Sequence, residues 1–112
     1  MCDTFLIPPE LSASGNRIFA KNSDREPNEP QALVHFPRTI RRTDKVQTSF
    51  IPVEHPHETN ALLLSKPFHL WGGEMGVNEY KVAIGNEAVF TRVPKAKENT
   101  GLTGMEMIRL AL

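Results

Sequence analysis

Apolar positions in this chain come in short clusters parted by turn-forming residues, until the last stretch, where their spacing turns helical. Short clusters bounded by Gly, Pro, Asn and Ser predict strands. The first, residues 4–7 (TFLI), is stopped by Pro8-Pro9, because proline brings no N–H to a ladder. Residues 12–16 (SASGN) predict a turn and 17–20 (RIFA) a returning strand, so a hairpin carries the start of the chain at one edge. Residues 21–30 (KNSDREPNEP) are polar, hold two prolines and predict a loop. Further strands are expected at 32–36, 48–53 and 61–64, with a basic loop or hairpin tip at 38–45 and a polar connection at 54–60. The glycines of 69–78 (HLWGGEMGVN) predict a shaped loop, and 81–84 and 88–92 predict strands around Gly85-Asn86-Glu87.

The pattern changes at GLTGMEMIRLAL. Leu102, Met105, Ile108 and Leu112 share a helical face, with Glu106 and Arg109 on other faces. Thr103 and Glu106 have the spacing of a capping box, which marks the helix start. No Gly, Asn or Pro closes the helix, so the pattern is expected to belong to the N-terminal portion of a longer domain. Strands followed by a helix predict an α+β fold with the helix on a sheet face.

Composition narrows the classes. The chain has 112 residues, the size of one domain, and is 39% hydrophobic and 23% charged. Thirteen basic and thirteen acidic residues balance, so neither nucleic acid nor an anionic membrane is an expected partner. The longest apolar run, Ala61 to Leu64, is far too short to span a bilayer, and the start lacks the pattern of a secretory signal. A single cysteine allows no internal disulfide, which suits a reducing, cytoplasmic setting.

That cysteine is Cys2, beside the initiator. Methionine aminopeptidases remove Met1 when the next residue is small, leaving a thiol and an α-amino group on one residue. Both titrate near neutral pH, at about 8.5 and 7.7–8.0 in unperturbed peptides. A nucleophile and its base then lie side by side, as covalent catalysis requires. The competing reading is a small hydrophobe in a strand.

Four separated motifs, MCDTF, FAKNSDREPNE, LWGGEMGVNEYKVAIGNEAVF and GLTGMEMIRLAL, together resemble the secernin/dipeptidase branch of the N-terminal nucleophile hydrolases. Penicillin V acylase and conjugated bile salt hydrolase are more distant relatives of that branch. The resemblance implies an αββα sandwich, of which this chain is the N-terminal part, and a cysteine-dependent amide hydrolase, most simply a dipeptidase. It implies Cys2 as nucleophile, Asp24 as the carboxylate that holds the terminal amine and thiol, and Asn86 as an oxyanion donor. Lys21 stands where bile salt hydrolases carry an arginine. It implies no metal or cofactor. The expected partners are a small peptide or amide substrate and a second copy or a complementing C-terminal half. The alternative is a non-catalytic secernin-like interaction protein linked to regulated secretion, or an inactive remnant.

Physical chemistry agrees with these roles but allows plainer ones. A cation at Lys21 or Arg25 favours a thiolate, yet Asp24 and Arg25 could be a loop ion pair worth about 0–1 kcal/mol. Asn86 after Gly85 could be a turn residue. Trp71, before Gly72-Gly73, is either a core aromatic or a wall of the substrate pocket. His55 and His57, flanked by Glu54 and Glu58, read as a solvated loop rather than a metal site. Arg38, Arg41, Arg42 and Lys45 read as a solvated basic loop.

Overall fold

A computed structural model describes residues 2–40, 45–94 and 100–112. The elements run β1 (Asp3–Ile7), β2 (Ile18–Asn22), β3 (Gln31–Phe36), β4 (Thr39–Ile40), β5 (Lys45–Gln47), β6 (Pro52–Glu54), β7 (Glu58–Thr59), β8 (Leu62–Pro67), β9 (Met75–Asn78), β10 (Ala83–Gly85) and α1 (Gly104–Ala111). β1 and β2 form the antiparallel hairpin expected at the chain start, with Thr4 opposite Lys21 and Leu6 opposite Phe19. Their connection is a single 3-10 turn at Pro9–Leu11 and a bend at Gly15, whose φ of +69° is open to glycine at little cost.

An antiparallel sheet in the order β10-β9-β8-β3 forms the centre. Strand alternation divides its residues between two faces. Val34, Leu64, Gly76 and Ile84 lie in register on the face towards α1, flanked by Phe36, Leu62 and Asn78. Leu62, Leu64, Ile108 and Leu112 are the buried apolar core there, with Phe36 and Ile84 packed against it. Burying a leucine as fully as Leu64, at 0% exposure, contributes about 2–3 kcal/mol. A Cβ on Gly76 would lie 2.8 Å from Leu112 and Leu64 methyl carbons, so glycine lets the helix close on the sheet. The opposite face carries Leu33, Leu63, Ser65, Met75, Val77 and Gly85, and the β1–β2 hairpin lies over it. Helix, sheet and hairpin thus make three layers, and the α+β class holds.

The β3–β8 pairing extends outward as an arm. Thr39 opposes Thr59 and Ile40 opposes Glu58, in the same register as Gln31 opposite Pro67. Farther along, β5 pairs with β6. A turn joins β5 to β6, in which Thr48 donates to the Ile51 carbonyl through both its N–H, at 3.2 Å, and its hydroxyl, at 2.5 Å.

α1 has eight residues, too few to persist alone. Its start is a complete capping box: Thr103 Oγ1 accepts from Glu106 N at 3.3 Å, and Glu106 Oε2 accepts from Thr103 N at 2.7 Å.

The structure departs from the sequence reading at several places, among them the strand expected at 81–84, which is β10 at Ala83–Gly85. Residues 48–53 are not one strand; their centre is the hairpin turn, and the Ser49 N–H goes to Glu106 instead of a ladder. Residues 75–78 are strand β9, because Gly76 answers a packing need rather than a turn. Residues 88–92 form no strand: Val89 and Phe90 are 75% and 92% exposed, and strand propensity is not realised without a partner ladder. Strand β2 continues through Lys21 and Asn22, which were expected in the loop. Glu106, which helical spacing places off the apolar face, is nevertheless buried at 1% exposure, since its carboxylate serves the Ser49 and Thr103 N–H groups.

Candidate active site

Cys2 stands half-buried just before β1. Thr4, two residues on, faces the central sheet and donates its hydroxyl to Glu87 Oε1. Alternation along the strand turns Cys2 towards that same side. Across the hairpin, β2 ends at Asn22 and leads directly into Ser23, Asp24 and Arg25, so the loop after β2 returns beside the chain start.

Two loop side chains respond to that proximity. The Asp24 carboxyl is held below its usual value by a hydrogen bond from the chain's α-amino group, and further by that group's charge. The Arg25 guanidinium is raised, first by its hydrogen bonds to Glu29 and then by the charges of Glu29, Glu74 and Cys2. The Glu29 contact is a two-pronged fork, Nε to Oε1 at 2.6 Å and Nη2 to Oε2 at 2.9 Å. It fixes Arg25 with its guanidinium in electrostatic reach of the thiol.

Glu74 joins Arg25 to Asn86. Arg25 Nη1 lies 3.5 Å from Glu74 Oε1. With the Asn86 amide oriented as its surroundings require, its nitrogen donates to Glu74 Oε2 at 2.9 Å and to the Glu74 carbonyl at 3.2 Å. The backbone repeats the link, since Asn86 N donates to Glu74 O at 3.1 Å. Asn86 also lies against Gly104 at the start of α1, where a Cβ would meet its side chain at 3.8 Å.

Lys21 lies between the layers. Its side chain is only 1% exposed and its ammonium is 3.6 Å from Glu87 Oε1. A Cβ on Gly85 would come within 3.3 Å of the Lys21 chain and 2.8 Å of the Phe19 ring, so β2 rests directly on the end of β10. Cys2, Lys21, Asp24, Arg25 and Asn86 thus surround the junction of the hairpin with the β9–β10 edge. Lys21 and Arg25 line a cavity of about 380 Å³ with Glu29, Ser65 and Met75; Cys2, Asp24 and Asn86 are not in its wall. Ser65 and Met75 also line a larger apolar space of about 920 Å³ between hairpin and sheet, walled by Leu6, Phe19, Leu33 and Leu63.

Trp71 belongs to another neighbourhood, on the helix side of the sheet. The Arg109 guanidinium stacks 4.4 Å from its ring and 4.0 Å from that of Phe36. Arg38 is bound by Glu58, Glu79 and Tyr80, so Glu58 is engaged with a cation. His55 Nδ1 contacts the Pro56 carbonyl at 2.8 Å. Arg41 and Arg42 lie outside the described residues.

Glu74 and Glu87 escaped the sequence reading. The one signal was a carboxylate set among glycines in GGEMG; its partner Arg25 is remote in sequence. The hairpin thus sets a cation, Arg25, and a carboxylate, Asp24, on the loop beside the half-buried thiol. No family model matches the chain, and no solved structure matches it.

Proposed function

We propose that this chain is a cysteine-dependent N-terminal nucleophile hydrolase that cleaves amide bonds in small peptides, most simply a dipeptidase, built on an αββα sandwich. The observation that supports this best is the β1–β2 hairpin, which brings the loop of Asp24 and Arg25 back beside the half-buried Cys2 at the head of β1. Removal of Met1 gives Cys2 an α-amino group of its own, one residue along the chain from the terminal amine that lowers the Asp24 carboxyl, and Asp24 is the carboxylate that would orient it.

The amine, in its neutral form, takes the thiol proton, and Cys2 Sγ attacks the amide carbonyl carbon. The carbonyl electron pair moves to oxygen. Asn86 is the donor to this oxyanion, and for this one amide N–H turns from its Glu74 acceptors to the substrate oxygen. A donor of this kind is worth roughly 3–4 kcal/mol. The tetrahedral species collapses, the C–N bond breaks, and the leaving amine receives the proton from the Cys2 ammonium. Water then attacks the thioester, the amine again accepts the proton, and the acid and thiol are released. Asp24 orients the amine throughout, while Arg25 and buried Lys21 supply positive potential. The apolar walls Leu6, Phe19 and Leu63 suit a substrate side chain.

The test joins mass spectrometry to turnover. The purified chain is expected to begin at Cys2 and to gain the mass of an acyl group when incubated with an activated amide. Cys2→Ala is expected to gain none and to hydrolyse no dipeptide. A retained Met1, or unchanged cleavage by Cys2→Ala, removes Cys2 from the mechanism and favours an interaction protein.

A further inference from the structure

We propose that the cleft between the hairpin and the central sheet binds an amphipathic anion, an alkyl carboxylate of about ten carbons. This goes beyond the hydrolase reading and does not depend on it, since Cys2 is not in the cleft wall. Phe19 rests on Gly85 at one end. Beyond that contact the two layers leave about 920 Å³, within the range of small-molecule sites. The apolar walls are unfilled: Leu6 on the hairpin is 62% exposed and Leu33 on the sheet 70%.

The cleft has a direction. Ser65 and Met75 lie in register with Gly85 at the Phe19 end, and Leu63, Val77 and Ala83 form the next row. Past that row the cleft is lined by Arg17 and Lys81. Its wall holds no carboxylate among the described residues, and neither cation makes an ion pair among them. An apolar floor that ends at two such cations suits a ligand with an apolar body and one anionic end. Gly85 and Lys81 are four residues apart, about 13 Å when extended, which a chain of about ten carbons spans. Lys81 is held in place against its own preference: its φ is +66°, the left-handed region that disfavours a side chain. Asn78 fixes this turn. Its Oδ1 accepts from Tyr80 N and Val82 N, each at 3.0 Å, and its carbonyl accepts from Lys81 N at 2.9 Å. A polypeptide is a poorer occupant, because its N–H and C=O groups would find few partners between Leu6, Phe19, Leu63 and Val77. An alkyl chain needs none.

Isothermal titration calorimetry with decanoate tests the site. Octanoate, two methylenes shorter, is expected to bind about five- to tenfold more weakly than decanoate. Decanol and decyltrimethylammonium should both bind more weakly than decanoate, since neither offers an anion to Arg17 and Lys81. Lys81→Gly removes the charge and suits the φ of +66°. It should weaken decanoate about two- to fivefold, the scale of one exposed ion pair, with a denaturation midpoint at or above wild type. Arg17→Gln should weaken decanoate to a similar degree, and neither variant should change the affinity for decanol. The methyl resonances of Leu6, Leu63 and Val77 should shift on binding, while those of Leu62 and Leu64, on the helix face, should not. No binding, equal affinity for decanol, wild-type affinity in both variants, or shifts on the helix face would each overturn the proposal. So would a dimer in sedimentation that decanoate does not disperse, because the cleft would then belong to a second copy. Cys2→Ala should bind decanoate as wild type does, so a chain that cleaves no amide sinks the hydrolase reading and leaves this site standing.

Discussion

Gly85 in β10 lies beneath the ring of Phe19 in β2, so close that a Cβ on Gly85 would sit 2.8 Å from the ring tip. This contact seats the hairpin on the central sheet. It brings the strand that bears Lys21, and the loop that bears Asp24 and Arg25, against the residues that follow β10. Gly85→Val would force the two layers apart, and overpacking of this kind costs about 1–3 kcal/mol. Chemical denaturation should show that loss, and hydrogen exchange should show faster exchange in β1 and β2 than in β8. Unchanged stability would mean that the layers do not meet at Gly85.

Asp24 is expected to matter more for turnover than for stability. Its carboxyl titrates below its ordinary value of 3.8 because it faces the α-amino group. The pairing is therefore in place above that value and is lost as pH falls through the lowered one. Asp24→Asn keeps the shape and loses the charge that orients the base. Amide cleavage by the processed chain should fall by about 10²-fold or more, the scale of a misdirected general base. Denaturation midpoints should move little, because Asp24 is exposed to solvent. A variant as active as wild type would remove Asp24 from the mechanism.

The sequence made some of this legible and hid the rest, for physical reasons. Cys2, Lys21, Asp24 and Arg25 sit on one hairpin and its loop, and a hairpin is a local structure that turn residues announce. The capping box at Thr103 and Glu106 is equally local, and it forms as read. Asn86 and Glu74 are different. Their link to Arg25 crosses from one layer to another, and no period in the sequence encodes which layer covers which. Gly76 misled because a glycine required by a neighbouring leucine looks the same in sequence as a glycine required by a turn. Residues 88–92 misled in the opposite way, since their apolar, β-branched content has no ladder to join. Helical phase put Glu106 only off the apolar face, and its burial could not be read there, because the Ser49 N–H at 2.5 Å comes from a turn remote in sequence.

That Ser49–Glu106 bond makes the helix start sensitive to acid. Burial favours the neutral carboxyl, but hydrogen bonds from the Ser49 and Thr103 N–H groups outweigh it and hold Glu106 below its ordinary 4.5. A lowered folded value means the stabilising contribution is whole above the unfolded value and is lost as pH falls through the folded one. Helix content, followed at 222 nm, should decline below about pH 4.5 more steeply in wild type than in Glu106→Gln. Glu106→Ala takes the carboxylate acceptor from the partly buried Ser49 and Thr103 N–H groups and should cost about 1–2 kcal/mol at neutral pH. Equal acid profiles for wild type and Glu106→Gln would show that other carboxylates govern the transition.

Arg109 closes the helix side of the sheet, and its chemistry cannot be replaced by charge alone. Its guanidinium is stacked between the Phe36 and Trp71 rings, at 4.0 and 4.4 Å, and Nη1 donates to the Trp71 carbonyl at 2.6 Å. A flat, weakly hydrated cation can face two rings and donate at its edge at once; an ammonium cannot. The same charge presses on Lys66, whose ammonium is pushed down first by burial and then by Arg109. Arg109→Ala loses the stacking and the hydrogen bond but relieves that repulsion, so a net cost of about 1–3 kcal/mol is expected. Arg109→Lys should recover little of it, because the repulsion persists while the stacking does not. Trp71 is the only tryptophan, so its fluorescence reports the change directly. Both variants should show red-shifted emission and easier quenching by acrylamide. A Lys variant with wild-type emission and stability would mean that position 109 contributes through charge and not through the planar fork.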